Sequence, residues 1–280
     1  MEKTNELNKF LSYIHLGTSV YRIYLDNADK LHADSLIILI NEIVSYCKEK
    51  FTGLSSVPVG VEKESLNIRT LDFTKNLVHV VTCAEMAEAK TFTGLFIKEV
   101  SSLIGKNCYV FDMEKMYPEV ASTTSYFDSA IFDNFKKFGK TAFDAFEKYK
   151  AAGFDAGALN DQAESVCFII GFDKFKNVMG TDFDSAFAGL VSMIKTMPKF
   201  NFVLLDTCDN FKKREFETWY KDTISGTKGI WLGNGMGTQY TIKSSTYTRE
   251  TRTQIESDFG YNVDKGAATL VKLLDFYSKN

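Results

Sequence analysis

The sequence predicts an α/β domain whose mainly parallel sheet is covered by helices on both faces. Short β-branched apolar runs are typical of buried strands, and amphipathic stretches of ten or more residues lie between them. Parallel strands need long crossover connections, which such helices provide. The predicted strands lie at 77–81, 108–112, 166–170, 202–205, 229–233, 239–243 and 268–274, and the predicted helices at 92–104, 126–150, 182–197 and 211–222.

Length and composition are those of a protein with a large buried core. The chain has 280 residues, of which 45% are hydrophobic and 14% aromatic. We therefore expect one large α/β domain, or one such domain with an appendage. The formal net charge is −3, so the composition does not indicate a nucleic-acid-binding surface, and no nucleic-acid partner is expected.

Cysteine and histidine usage argues against disulfides and zinc. The 5 cysteines are scattered without a C-x-x-C spacing, and most lie in apolar runs, as buried thiols of a reducing compartment do. The 3 histidines show no H-E-x-x-H spacing, so no zinc site is expected. The longest aliphatic run, Leu36–Ile40, is far shorter than a membrane span, and there is no signal peptide, which together indicate a soluble cytosolic fragment.

Residues 1–52 are predicted to be a helical appendage or linker that precedes a domain at 53–280. Their apolar residues recur at helical spacing, and no catalytic constellation accompanies them. The domain opens with a predicted β-hairpin, in which 57–61 and 66–71 flank the polar turn 62–65. The helical spacing rests on Leu7, Phe10, Leu11 and Ile14, and on Leu36, Ile37, Leu39, Ile40, Ile43, Val44 and Cys47.

The turn after the strand 77–81 has the outline of a phosphate-binding loop. A working P-loop has the pattern G-x-x-x-x-G-K-[ST], and this turn ends in Lys90-Thr91 but has alanine at both glycine positions. Glycine opens backbone conformations closed to other residues and lets N–H groups approach the phosphates, so two alanines restrict that cradle. The candidate nucleotide-binding residues are Ala84, Glu85, Met86, Ala87, Glu88, Ala89, Lys90 and Thr91.

Two interpretations of this turn stay open. Lys90 could meet a phosphate as a point charge, and Thr91 could offer its hydroxyl to Mg²⁺. In the other interpretation, the turn is an ordinary strand-to-helix connection in which the Lys-Thr pair is coincidental.

A P-loop ATPase also needs an acid at the end of a neighbouring strand, and two strand ends compete for this role. Asp206 directly follows 202–205, whereas Asp173 comes two residues late after 166–170. The glutamate that usually accompanies the acid is missing at both ends. An isolated acid at a strand end is more often a turn or helix-cap residue. The candidate metal ligands are Thr91, Asp173 and Asp206, and no catalytic residue is predicted.

Two later motifs are interpreted as structural. Gly233, Gly235 and Gly237 precede a strand-like segment, so we expect a tight turn and not a dinucleotide-binding loop, which would open a helix. Arg249 and Arg252 could act in trans as arginine fingers in a ring, but solvent-exposed helix charges are the simpler interpretation.

Over about residues 55–275, several short motifs resemble, in their order and spacing, the sequences of one family. It is the C-terminal ATPase domain of the FtsK/SpoIIIE-type membrane ATPase of type VII (ESX/WXG100) secretion. The motifs are Val57-Pro58-Val59-Gly60, the loop before Lys90-Thr91, Phe168-Ile169-Ile170-Gly171-Phe172-Asp173-Lys174-Phe175, Gly229-Ile230-Trp231-Leu232-Gly233-Asn234-Gly235, Gln239-Tyr240, Phe259-Gly260-Tyr261, Lys265-Gly266 and Val271-Lys272-Leu273-Leu274.

The resemblance implies a RecA-like P-loop NTPase fold with three layers. It also implies transmembrane helices and tandem ATPase domains upstream, a place at the cytoplasmic side of the bacterial cell membrane, and a ring in the full assembly. The last domains of this family are often degenerate and recognise WXG100-type secreted proteins. Alanine at 84 and 89 and glycine at 171 imply that ATP and Mg²⁺ binding is weak or absent, and that the module is not an active ATPase on its own. The alternatives are a competent ATPase that drives protein export, and DNA translocation as in FtsK, which the acidic charge balance disfavours.

Overall fold

A computed structural model describes the chain from the predicted hairpin onward. The predicted helical appendage at 1–52 lies outside the described residues. No helix in the described part of the chain is long and apolar enough to cross a membrane. The described residues are 54–63, 67–74, 78–180, 183–217, 219–220, 228–239, 241–245, 250–255 and 257–273.

The described strands form one ten-stranded sheet. They are β1 (Val57–Glu62), β2 (Ile68–Leu71), β3 (Val78–Cys83), β4 (Cys108–Asp112), β5 (Ser125–Phe127), β6 (Ser165–Ile170), β7 (Phe200–Thr207), β8 (Gly229–Leu232), β9 (Phe259–Asp264) and β10 (Ala267–Leu273). Their order across the sheet is β2-β1-β10-β9-β8-β3-β7-β6-β4-β5.

The sheet has a parallel part and an antiparallel part that meet at β8. Strands β8, β3, β7, β6, β4 and β5 are parallel neighbours in that order. Strands β9, β10, β1 and β2 continue the sheet in antiparallel pairs, which confirms the predicted hairpin of β1 and β2. Strand β3 lies between β7 and β8, so the turn that follows β3 emerges at the centre of the parallel part.

Helices cover both faces of the parallel part, as the alternation of strands and helices predicts. The helices are α1 (Lys90–Ile104), α2 (Ile131–Ala151), α3 (Phe172–Met179), α4 (Phe183–Thr196) and α5 (Cys208–Lys212). Alternate residues of each strand face opposite sides, so Val81 packs in the core beneath α1, whereas Val80 packs in the core beneath α2, α3 and α4. Both faces of the strands are therefore buried, as parallel sheets require.

Three elements are absent from the sequence prediction. Strand β9 pairs between β8 and β10, and helix α3 begins directly after β6. The short strand β5 pairs with β4 at the edge of the sheet. The helix predicted at 126–150 therefore begins only at Ile131.

The strand predicted at 239–243 is wrong in its described residues. The Gln239 side chain accepts a hydrogen bond from the Ile242 N–H at 2.8 Å and donates one to the Ile242 carbonyl. These bonds close a local turn and take the groups that a strand would pair with its neighbour.

The helix predicted at 211–222 is also wrong in extent. Helix α5 begins at Cys208 because the Thr207 hydroxyl caps it and accepts a hydrogen bond from the Asn210 N–H at 3.3 Å. The helix ends at Lys212, the chain continues in turns to Glu217, and Trp219 and Tyr220 are helical again, within the predicted range.

Phe135 is the centre of the aromatic core between the sheet and helices α2, α3 and α4. Its ring is 3% exposed and lies 4.9 Å from the Phe175 ring and 5.3 Å from the Phe111 ring, between centroids. We expect Phe135→Ala to lower the free energy of unfolding by about 3–5 kcal/mol. The matched control is Phe132→Ala, 49% exposed on the same helix, with an expected loss below about 1 kcal/mol. Urea denaturation measures both, and equal losses would contradict this core.

Glu99 makes stability depend on pH, because burial on α1 raises its pKa from the ordinary 4.5 to about 7. The folded state therefore binds more protons than the unfolded state between these values. Stability falls as the pH rises from about 4.5 through 7, by on the order of 3 kcal/mol. We expect Glu99→Gln to be more stable than the parent protein at pH 8 and equal to it at pH 4, by urea denaturation. A stability difference that does not change with pH would contradict this.

Candidate functional site

The candidate site is the Lys90 loop, defined as residues 84–91, which joins β3 to α1. The adjacent strands end beside it: Thr82 pairs with Asp206 of β7, and Cys83 pairs with Leu232 of β8. In open parallel sheets, ligands bind at the carboxyl ends of the strands. The structure therefore places the loop where the sequence predicts it.

The Lys90 loop is folded as a short 3-10 helix, Met86–Ala89, that runs directly into α1. The Glu88 N–H donates to the Glu85 carbonyl at 2.9 Å, and the Lys90 N–H donates to the Ala87 carbonyl. The Glu85 N–H donates to the Glu88 carboxylate at 3.2 Å. These three amides, which lie where a P-loop presents donors to phosphate, are bonded within the loop.

Ala89, at the second glycine position of the P-loop pattern, suits this helical conformation, whereas Ala84, at the first, lies exposed in a bend before the helix. Ala89 has φ of −83° and is fully buried, so its methyl group packs in the core beneath α1. The buried Tyr117 hydroxyl donates to the Ala89 carbonyl at 3.3 Å and fixes the end of the loop from below. Alanine favours helix and disfavours the positive φ that glycine permits, so the sequence selects a helical turn here.

The Glu88 carboxylate lies against the Gly233 turn, defined as residues 233–237. A Cβ added at Gly233 would lie 2.5 Å from a Glu88 carboxylate oxygen, so a larger residue there would have to displace the Glu88 carboxylate. Gly233 and Gly235 have φ of +74° and +89°, which agrees with the predicted tight turn. Beside this contact is a cleft of about 570 Å³, lined by Glu88, Gly233, Asn234, Gln254, Ile255 and Ser257.

Lys90 and Thr91 are exposed at the start of α1. Among the residues that the structure describes, none accepts a hydrogen bond or ion pair from the Lys90 ammonium. These two predicted residues therefore keep their functional groups available to solvent, in contrast to the amides around them.

Asp206 is buried at the end of β7, and protein donors surround its carboxylate. It accepts hydrogen bonds at 2.7 Å from the Asp173 N–H, the Thr207 N–H and the Asn210 amide. Burial raises the pKa of Asp206, and the hydrogen bonds from Asp173 and Asn210 partly offset that rise. The side chain ties β7 to the first turns of α3 and α5.

Asp173 lies beside Asp206 but is directed to a different partner. Its carboxylate accepts a hydrogen bond from the Arg214 Nε at 2.9 Å and forms an ion pair with Lys213 at 3.8 Å. The structure thus brings together two of the three predicted metal ligands, each already bonded, and gives Thr91 no bond to either. No group of three or more His, Cys, Asp and Glu side chains is placed to hold a metal ion within the described part of the chain.

Negative charge surrounds the end of β3. Burial raises the pKa of the Cys83 thiol, and the charges of Glu88 and Asp206 raise it further. A phosphate that binds the Glu85, Glu88 or Lys90 amide has to displace the acceptor that this amide already has within the loop. The loop also carries two carboxylates beside one lysine.

Several residues that shape the site are missing from the sequence interpretation. Tyr117, Asn210 and Arg214 belong to other elements, and no spacing in the sequence connects them to the Lys90 loop. Glu88 occupies a variable position of the P-loop pattern, so its role was not predicted. Its spacing of three residues from Glu85 is the one local signal, since a glutamate three residues after a helix cap often binds the cap amide.

A mainly parallel sheet covered by helices, with a loop before a helix at its centre, is the arrangement of the RecA-like P-loop fold. The described chain has this fold, as predicted, while the predicted N-terminal helical segment lies outside the described residues.

Solved structures of the type VII secretion ATPases share the fold. EssC (ATPases 2 and 3) from Geobacillus thermodenitrificans matches with a TM-score of 0.64 at 11% identity, over 80% of this chain and 42% of that chain. Thermomonospora curvata EccC (ATPases 2 and 3), in complex with a signal sequence peptide, matches with a TM-score of 0.58 at 12% identity, over 81% of this chain and 41% of that chain.

A further similar structure is the pCW3 conjugation coupling protein TcpA in its monomer form with ATPγS. Its TM-score is 0.60 at 12% identity, over 80% of this chain and 67% of that chain. The present chain spans less than half the length of the EssC and EccC chains that it matches. No protein-family model and no curated protein matches the sequence.

The bonds of Asp206 predict a structural role that can be measured without ligand. Asp206→Ala leaves the Asp173 and Thr207 amides without their acceptor, so we expect a loss of about 2–3 kcal/mol in the free energy of unfolding. The matched control is Asp209→Ala, an exposed acid in α5, with a loss below about 1 kcal/mol. Guanidinium denaturation without nucleotide or metal measures both. An unchanged or higher stability of Asp206→Ala would contradict this structural role and indicate that the carboxylate serves to bind a ligand.

Proposed function

We propose that this chain is a degenerate P-loop ATPase module of a type VII secretion motor, at the cytoplasmic side of the bacterial cell membrane. In this role it recognises WXG100-type secreted proteins or regulates neighbouring ATPase domains, and it is not an active ATPase on its own. The observation that carries the proposal is the fold shared with EssC and EccC ATPase domains over about 80% of the chain.

The geometry of the Lys90 loop supports weak or absent ATP binding. The Glu85, Glu88 and Lys90 amides are bonded within the loop, so a phosphate would have to break those bonds before it could accept from them. Asp206, the candidate acid, already accepts three hydrogen bonds from the protein. A Mg²⁺ ion would therefore compete with donors that are in place.

The proposed partners, neighbouring ATPase domains and an export signal, are those that the similar structures contain. The EssC and EccC chains carry ATPases 2 and 3 together, so we propose that this module works beside upstream ATPase domains of a longer protein, in a ring. The EccC structure contains a signal sequence peptide, and by analogy we propose that the present module binds an export signal of a secreted WXG100-type protein.

One observation favours the alternative of a competent ATPase that drives protein export. Lys90 and Thr91 are exposed at the start of α1, as the phosphate and magnesium groups of a P-loop would be. In this alternative Lys90 binds the phosphates, and Thr91 with Asp206 or Asp173 holds Mg²⁺.

Calorimetric titration with Mg-ATP, together with a phosphate-release assay, separates the two candidates. We expect binding weaker than about 1 mM and no turnover above that of Lys90→Ala. Micromolar binding and turnover, both lost in Lys90→Ala, would establish the competent ATPase.

Substrate recognition is tested with a synthetic peptide of the C-terminal export signal of a WXG100 protein encoded in the same genome. We expect saturable binding by fluorescence anisotropy, with a scrambled peptide of the same composition as the control. Equal binding of the two peptides would contradict a role in recognition.

A further inference from the structure

We propose that Glu88 holds the Lys90 loop in a conformation that does not bind phosphate, and we call this arrangement the lock. The Glu88 carboxylate takes the place of a phosphate at the Glu85 amide and braces the loop against the Gly233 turn, so that phosphate binds only when Glu88 is removed or displaced. The lock rests on the proposed function, because it specifies how the nucleotide site of the degenerate module is kept closed.

The first part of the lock is a bond between an anion and a backbone donor. The Glu88 carboxylate accepts a hydrogen bond from the Glu85 N–H at 3.2 Å, and the Glu88 N–H returns one to the Glu85 carbonyl at 2.9 Å. Amides ahead of a helix favour negative charge, which a P-loop uses for phosphate. Here the loop supplies that negative charge from its own side chain.

The second part is a rigid surface behind the carboxylate. The Gly233 N–H donates to the Phe259 carbonyl at 3.3 Å, and the Trp231 indole N–H donates to the Gly233 carbonyl at 3.0 Å. These bonds hold Gly233 in place, and the Glu88 carboxylate lies in the space where the Gly233 Cβ would stand, so Glu88 packs between the loop and the turn.

The third part is electrostatic. The half-buried Glu88 and the exposed Glu85 put two negative charges on a loop with a single lysine, and buried Asp206 adds a third beside it. A polyphosphate that approaches Lys90 meets this repulsion, and solvent screens the half-buried Glu88 charge less than the exposed Glu85 charge. Removal of Glu88 therefore relieves repulsion and frees an amide donor in one step.

The groups left after removal of Glu88 are suited to a phosphate. The Glu85 N–H loses its acceptor, and the Lys90 ammonium and the Thr91 hydroxyl stand at the start of the 15-residue helix α1. These are a backbone donor, a cation and a hydroxyl at a helix N-terminus, the combination that P-loops direct at phosphates.

The test is calorimetric titration of the full chain with Mg-ATP and, separately, with Mg-pyrophosphate. Glu88→Ala should bind both at least about tenfold more tightly than the parent protein, because the bond and the charge are both gone. Glu88→Gln keeps the shape but not the charge and should gain about threefold. The matched control is Asp209→Ala, which removes an exposed carboxylate at the same edge of the sheet but leaves the lock in place and should change affinity by less than about twofold.

The outcomes separate the lock from the proposed function. If neither Glu88 variant gains affinity while both unfold in urea near the parent midpoint, the lock is wrong and the degenerate module stands. If Glu88→Ala fails to fold, the near-isosteric Glu88→Gln decides alone. If the parent protein already binds Mg-ATP tightly, weak nucleotide binding is wrong, and the ratio of variant to parent affinity still decides the lock. An equal gain in Asp209→Ala would reduce the effect to general charge repulsion and overturn the lock.

Discussion

The conformation of the site depends on which groups accept hydrogen bonds from the backbone amides that follow β3. A buried amide needs an acceptor, and a P-loop leaves several amides unpaired so that a phosphate can be that acceptor. In this chain the acceptors are the Glu85 and Ala87 carbonyls and the Glu88 carboxylate. These three amides thereby have acceptors without a ligand, in a conformation that suits a sequence favouring helix.

The neighbouring strands reinforce that arrangement. The buried Asp206 carboxylate accepts hydrogen bonds from the first turns of α3 and α5, and the Asp173 carboxylate accepts one from Arg214. On the other side, β8 leads into a turn whose glycine leaves room for Glu88. The parallel sheet thus retains the geometry of a nucleotide-binding fold, whereas the side chains at its carboxyl edge bond to one another.

Sequence patterns were sufficient for the hairpin and for the strands β3, β4, β6, β7, β8 and β10, but they missed β5 and β9. Strand β6 is a nearly continuous apolar run because both of its faces are buried, so composition alone identifies it. The prediction of a strand at 239–243 is wrong because side-chain bonds between Gln239 and Ile242 override the apparent alternation. The contact between Glu88 and Gly233 could not be predicted, since these two residues lie far apart in the sequence.

Amide hydrogen exchange of residues 84–91, followed by NMR with and without Mg-ATP, tests the central claim most directly. If the loop amides are bonded internally, Glu85, Glu88 and Lys90 exchange slowly without ligand, and Mg-ATP leaves their rates unchanged. Fast exchange in the free protein that Mg-ATP slows would contradict the account, because it would mean that the cradle is open and that nucleotide fills it.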